Sequence, residues 1–188
     1  LLLTLEPGLS AAEVEARLIA GAIDMESPGR DDNTGYGRVY APRVLIPCKP
    51  PTTVCATSPN SAGAGAVLSA SGQAGLDAGS VNLHVQGGVP GEVGIFFYGP
   101  DVQAVPFENG VLCAAPGSVG LVRVGNRVSF DGAGTAQSTF DFGLAPFDAG
   151  PSAWVLGSSW TVQFYYRDLA GGGTGRNLSD ALRFTVCP

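Results

Sequence analysis

From residue 58 onward, apolar and polar residues alternate with a period of two. Val81, Leu83 and Val85 alternate with Asn82, His84 and Gln86, and Val93, Ile95 and Phe97 follow a Pro90-Gly91 turn. The same period runs through Val122 and Val124, Val128 and Phe130, and Phe140, Phe142 and Leu144. It is clearest in SWTVQFYYR, where Trp160, Val162, Phe164 and Tyr166 share one face and Tyr165 points to the other. Leu182, Phe184 and Val186 repeat the pattern. Seven or eight short strands separated by Gly- and Pro-containing turns predict an antiparallel β-sandwich over residues 58–188. Segments 110–120 and 171–175 are expected as loops.

The first 46 residues follow a helical period instead. After an apolar stretch at Leu1–Leu5 and a Pro7-Gly8 break, Ser10 and Glu13 form the pattern of a capping box. Val14, Leu18 and Ala22 then recur at four-residue steps, which predicts a helix from Ala11 to Ile23. Ser27-Pro28-Gly29 ends it, and Asp31-Asp32-Asn33-Thr34-Gly35 is dense in side chains that fold back on their own backbone. Two helices and a short tail cannot enclose a core alone, so this part is expected to pack on further structure. Between the two styles lies CKPPTTVC, whose consecutive prolines predict an extended linker over 47–57. The expected divisions are therefore 1–46, 47–57 and 58–188.

Composition agrees with a chain rich in turns: 28 glycines and 14 prolines, 45% hydrophobic and 14% charged residues. The net charge of −6 is shared equally, with seven acids and four bases in 1–46 and nine acids and six bases in 47–188. No basic stripe is present, which leaves nucleic-acid binding without an electrostatic basis. The apolar runs fall far short of the ~20 residues of a membrane helix, so no transmembrane segment is expected. LLLTL is too short for the apolar core of a signal peptide, and the only methionine is Met25. The chain thus reads as a piece of a longer protein whose export signal lies upstream.

Cys48, Cys55, Cys113 and Cys187 contain no C-x-x-C pair, and the single histidine, His84, stands apart from them. No metal or cofactor set is assembled by spacing, and disulfides in a secreted or cell-surface protein are expected. Four cysteines allow three connectivities; a Cys113–Cys187 pair is preferred, tying down the final strand. Asp31, Asp32 and Asn33 lack the spacing of a calcium loop and predict a capped turn. Glu92, Asp101 and Glu108 fall in or beside predicted turns and read as solvated charges. Gly171–Gly175 has no following lysine and reads as a turn rather than a phosphate loop. Tyr98, Trp154 and Tyr165 are the candidates for ligand contact, as aromatics near loops or on strand faces that could stack on sugar rings or hydrophobic peptides.

The N-terminal motifs carry a resemblance. Pro7, Leu9, Ser10, Glu13 and Val14, followed by Gly35, Gly37, Val39 and Ala41, resemble the P-x-L-(S/T)-x-x-(E/Q)-V helix and the G-x-G-x-V-(N/D)-A element. These two elements close the catalytic domain of subtilisin-like serine proteases. Tyr40 stands where that family has Asn or Asp. The resemblance covers residues 1–46 and implies a truncated α/β domain of a secreted endopeptidase acting on polypeptide substrates. It also implies that the catalytic aspartate, histidine and serine lie upstream, so no residue here is assigned a catalytic role and the chain alone is expected to be inactive.

Residues 55–188 resemble a second module, one that recurs at the C-terminus of large exported bacterial proteins. The residues that carry this likeness are Cys55 with SPNSAGAGAVLSASG, then GIFFYGP, VPFENGVLC, WTVQFYYRD and NLSDALRFTVCP. It implies an accessory domain, with no assigned chemistry. Stabilisation of the protease end, retention at the cell envelope and glycan binding are the roles it leaves open. The alternative to a protease fragment is a non-catalytic extracellular binding or surface-anchoring module.

Overall fold

The computed structural model describes all of residues 1–188, which divide into two compact units: Leu1–Lys49 with Cys187–Pro188, and Pro50–Val186. Unit 1 holds helices α1 (Leu2–Leu5), α2 (Ala11–Ala20) and α3 (Ala41–Leu45) and the short strands β1 (Ala22–Ile23) and β2 (Arg38–Val39). The capping box forms as read: the Glu13 amide donates to Ser10 Oγ at 3.3 Å, and the Ser10 amide donates to Glu13 Oε2 at 2.8 Å. The Ser10 hydroxyl also donates to Glu13 Oε2 at 2.7 Å, and this bond, with that from the Ser10 amide, holds the Glu13 carboxyl below its ordinary value.

Helix α2 ends three residues earlier than its apolar spacing predicts. Gly21 caps it, and Ala22–Ile23 leaves the helical path to pair antiparallel with Arg38–Val39. The Gly35-Tyr36-Gly37 element serves this pairing. Gly37 sits at φ +94°, and a Cβ there would lie 2.2 Å from the Ile23 carbonyl oxygen, so only glycine lets the strands approach. In the acidic loop, the Asp31 carboxylate accepts from the amides of Asn33 and Thr34 and from the Thr34 hydroxyl. Those bonds fold the loop back on itself as a capped turn and depress the Asp31 pKa.

Unit 2 is built from β3 (Thr52–Cys55), β4 (Val67–Ser71), β5 (Ser80–Gln86), β6 (Val93–Gly99), β7 (Asp101–Phe107), β8 (Gly110–Ala115), β9 (Val122–Ser129), β10 (Ala136–Asp141), β11 (Ser159–Arg167) and β12 (Arg176–Thr185). A five-stranded sheet in the order β3-β12-β11-β6-β9 faces a three-stranded sheet in the order β10-β5-β4, with all pairs antiparallel. This is the expected antiparallel β-sandwich, with one addition. The β7–β8 hairpin lies on the outer face of the larger sheet and makes a third layer.

Alternation explains the main core. Leu68, Val81, Leu83, Val85 and Phe140 from one sheet meet Phe96, Tyr98, Trp160, Val162, Phe164, Tyr166, Leu182 and Phe184 from the other. Burying each large side chain contributes ~2 kcal/mol, and edge-to-face pairs such as Phe96–Phe140 at 5.9 Å add to it. The outward residues of β6 and β11 meet the hairpin instead: Phe97 packs with Ala114 and Leu178, flanked by Leu112 and Tyr165.

Several elements differ from the sequence expectation. Thr52–Cys55, inside the expected linker, is an edge strand paired to β12, since its Thr-Thr-Val run suits a pleated edge once the prolines are passed. Gly110–Ala115 is a strand rather than a loop, and Val67–Ser71 and Asp101–Phe107 are strands that alternation does not mark. Strand β10 stops at Asp141; Phe142 turns inward within a loop, and Leu144 is exposed. The disulfides are Cys48–Cys187 and Cys55–Cys113, not Cys113–Cys187. Strand β8 crosses the outer face of the sheet, brings Cys113 to the end of β3 where Cys55 waits, and leaves Cys187 to Cys48.

Asp180, in β12, accepts a 2.6 Å hydrogen bond from the Leu68 amide while 5% exposed, and so links the larger sheet to β4, an edge strand of the smaller one. Burial raises its pKa, partly offset by that hydrogen bond. The folded state therefore holds this proton more tightly than the unfolded chain. The associated stability is full below the unfolded carboxyl value and is lost as pH rises toward the folded value. Asp180→Asn keeps an acceptor for Leu68 and removes the buried charge. It is expected to stabilise the fold by up to ~1 kcal/mol at pH 7 and to have no effect below about pH 4. Urea titrations of both proteins across pH would show this; an equal difference at every pH would sink the electrostatic account.

Candidate functional site

The β7–β8 hairpin turns through Glu108 and Asn109, with Phe107 opposite Gly110. The usual hairpin signal would place the turn on Asn109-Gly110. Packing forbids it: a Cβ on Gly110 would lie 2.6 Å from Asn177 Oδ1 and 3.1 Å from the Leu178 amide. Glycine is consumed where the hairpin presses on β12, and the turn shifts back by one residue. Glu108 consequently takes φ +55°, the only non-glycine residue in the chain with positive φ. That conformation costs a residue with a Cβ roughly 1 kcal/mol.

The strained turn is held firmly. The Asn109 amide donates to the Arg176 carbonyl, its Nδ2 donates to the Gly172 carbonyl, and its Oδ1 accepts from the Thr174 amide. The glycine-rich segment at 171–175 is thus the seat of the hairpin tip. With the tip fixed, Tyr165 donates to Glu108 Oε1 at 3.2 Å, and Arg176 Nη1 donates to the Tyr165 hydroxyl at 3.2 Å. The Arg176 guanidinium stands 3.8 Å from the same carboxylate oxygen. Phe107 lies beside Tyr165, with ring centroids 6.3 Å apart and planes inclined at 52°. Partial burial raises the Tyr165 pKa, opposed by the hydrogen bond from Arg176 and reinforced by the Glu108 charge. Phe107 is 44% exposed, and Val102 and Val105 extend the apolar surface along β7.

Two of the three aromatic candidates are corrected by burial. Tyr98 is fully enclosed: it follows Phe96 at a period of two, packs on Phe147, Trp154 and Trp160, and donates to the Ser152 carbonyl. Burial pushes its pKa up to about 12. Trp154 lies in a loop that folds inward between Phe142, Phe147 and Phe184, and its buried indole N–H meets no protein acceptor. Tyr165 alone is accessible. Phe107 and Arg176 were not among the sequence candidates, and Glu108, expected as a solvated charge, has instead a side chain 19% exposed that accepts from Tyr165. The available signal was PFENG, a tight turn whose glycine comes one position late.

An open cleft of ≈ 410 Å³ is lined by His84, Gln86, Ser129, Asp131, Thr135 and Gln137 among others. The Asp131 carboxylate is engaged by the amides of Ala133 and Thr135 and by the Thr135 hydroxyl. His84 Nε2 lies 3.2 Å from Ser71 Oγ on the exposed face of the smaller sheet, without a carboxylate to orient the ring. A serine–histidine relay requires that third group.

No helix is long and apolar enough to cross a membrane. Comparison of the chain with protein-family models, with curated proteins and with solved structures finds no match.

Proposed function

We propose that Leu1–Lys49 is the closing segment of a subtilisin-like catalytic domain, and that the β-sandwich is a non-catalytic, exported accessory domain of the same endopeptidase. The observation that carries this reading is the uncovered apolar surface of unit 1. Its α1 and α2 bury no residue, and Leu1, Leu3, Leu5 and Leu18 are 81%, 53%, 59% and 38% exposed. An amphipathic helix with an intact capping box and an open apolar side belongs against another surface. The order of motifs from Pro7 to Ala41 supports a subtilisin-like domain as that surface. The two disulfides support an oxidising, extracellular setting.

Labelling the full-length parent, recovered from its native culture, with a biotinylated fluorophosphonate tests this. The label is expected on a serine N-terminal to Leu1, within a Gly-Thr-Ser segment. An unlabelled parent, or upstream sequence made of unrelated repeats, overturns it.

A further inference from the structure

We infer that the Phe107–Tyr165 surface, with Glu108 and Arg176 at its side, is a binding site for the pyranose rings of a polysaccharide. This assignment concerns unit 2 alone and stands whether or not unit 1 belongs to a protease.

Three independent observations converge on the site. The first is backbone strain at a position where glycine would be strain-free. Glycine at position 108 would relieve the turn, yet the position carries a glutamate whose carboxylate is directed onto Tyr165. The second is unspent hydrogen-bonding capacity. Glu108 Oε2 and the Nη2 and Nε groups of Arg176 engage no protein atom, although Oε1 and Nη1 are fixed through Tyr165. A free acceptor and a free planar donor, held a few ångströms apart, match the vicinal hydroxyls of a sugar ring, each of which donates and accepts. The third is the aromatic surface beside them. Exposed Phe107 and half-buried Tyr165 offer π-faces to the C–H face of a pyranose, which is apolar on its flat side and polar at its rim. An apolar wall with a few oriented polar groups is the composition of a small-ligand site.

Other ligand classes fit less well. Strand addition by an extended peptide needs a continuous edge. Strand β7 carries Pro106, which has no N–H, and its register is broken between Val102 and Val105. A nucleic acid meets a chain of net charge −6. The open cleft at His84 has an imidazole, a carboxylate, amides and hydroxyls but no Phe, Tyr or Trp.

The test uses the 188-residue chain with both disulfides intact, incubated with microcrystalline cellulose, chitin and purified peptidoglycan sacculi as separate arms. Retention on at least one is expected, and the arms identify which polysaccharide is the source of the ring. Phe107→Ala and Arg176→Ala should each weaken that retention by about tenfold or more. Glu108→Gly separates ligand from scaffold: retention falls while the melting temperature stays level or rises, the opposite of what a structural glutamate would give. Absence of retention on all three glycans overturns the proposal. So does retention that the three variants leave unchanged, or binding to immobilised unfolded casein with none to the glycans.

Discussion

Gln163→Leu is expected to lower the stability of unit 2 by about 3 kcal/mol, although leucine fits the volume and the site is fully buried. Gln163 stands on the outer face of β11 beneath the hairpin. Its Oε1 accepts from the Cys113 amide at 2.9 Å, and its Nε2 donates to the Val111 carbonyl at 2.8 Å. These are the groups of β8 that face away from β7, so the carboxamide pairs with them as a peptide unit of a neighbouring strand would. The second Nε2 hydrogen goes to the Ser179 carbonyl at 2.8 Å. That carbonyl is free because β12 carries an extra residue opposite Phe164, whose amide is met instead by Ser179 Oγ. Leucine would take the Oε1 acceptor from the buried amides of Cys113 and, at 3.4 Å, Ala114, and the Nε2 donor from two buried carbonyls, each loss worth about 1–3 kcal/mol, against a gain in apolar burial. The urea midpoint, followed by near-ultraviolet circular dichroism, measures the loss. A change under ~0.5 kcal/mol would mean that other contacts hold the hairpin.

Reduction of the disulfides should have a comparable or larger effect. Cys55–Cys113 closes 58 residues and Cys48–Cys187 closes 139, so chain-entropy arguments assign them roughly 4 and 5 kcal/mol. The smaller loop lies within the larger. With the inner bridge intact, the outer one closes a shorter effective path, and the two contributions sum to less than their separate values. Replacing Cys55 and Cys113 together by serine should also release β8 from β3 and sensitise the hairpin to proteolysis before the sandwich melts. Thermal melts with and without a phosphine reductant, on the parent chain and on each paired serine variant, test both statements. Equal melting temperatures under all conditions would refute them.

What could be read from the sequence was alternation. Strands β5, β6 and β11 each set alternate residues on the main core, and their period of two announces them, although in β6 the expected set of Val93, Ile95 and Phe97 lies on the other face and Phe96 and Tyr98 enter the core. Strand β8 gives no such sign. Leu112 and Ala114 meet the sheet while Cys113 enters a disulfide, so Val111–Ala115 is a continuous apolar run. The burial of Tyr98 was legible only in the parity it shares with Phe96, not in the Val93, Ile95 and Phe97 set that the alternation picks out. That of Trp154 was not, because its loop position obeys no period. The candidate site was legible only at Tyr165. Residues 107–109, 165 and 176 meet because a third layer folds over the sheet, and the shift of the turn at Glu108 depends on how closely Gly110 meets Asn177. That distance belongs to the folded state and leaves no local trace in the chain.

The position of β12 has a consequence for how the protein is made. It is the last strand in chain order, yet it lies between β3 and β11 and reaches the smaller sheet through Asp180. Strand β3 has no other partner, Gln163 lacks the Ser179 carbonyl, and the main core lacks Leu182 and Phe184 until this segment arrives. A ribosome that has delivered everything up to Gly175 has therefore released a set of hairpins with an open apolar face. Closure of the sandwich must wait for the following ten residues. Synthesis and folding are uncoupled for most of the length of unit 2, and the interval before β12 emerges is when the nascent chain most needs protection from its neighbours.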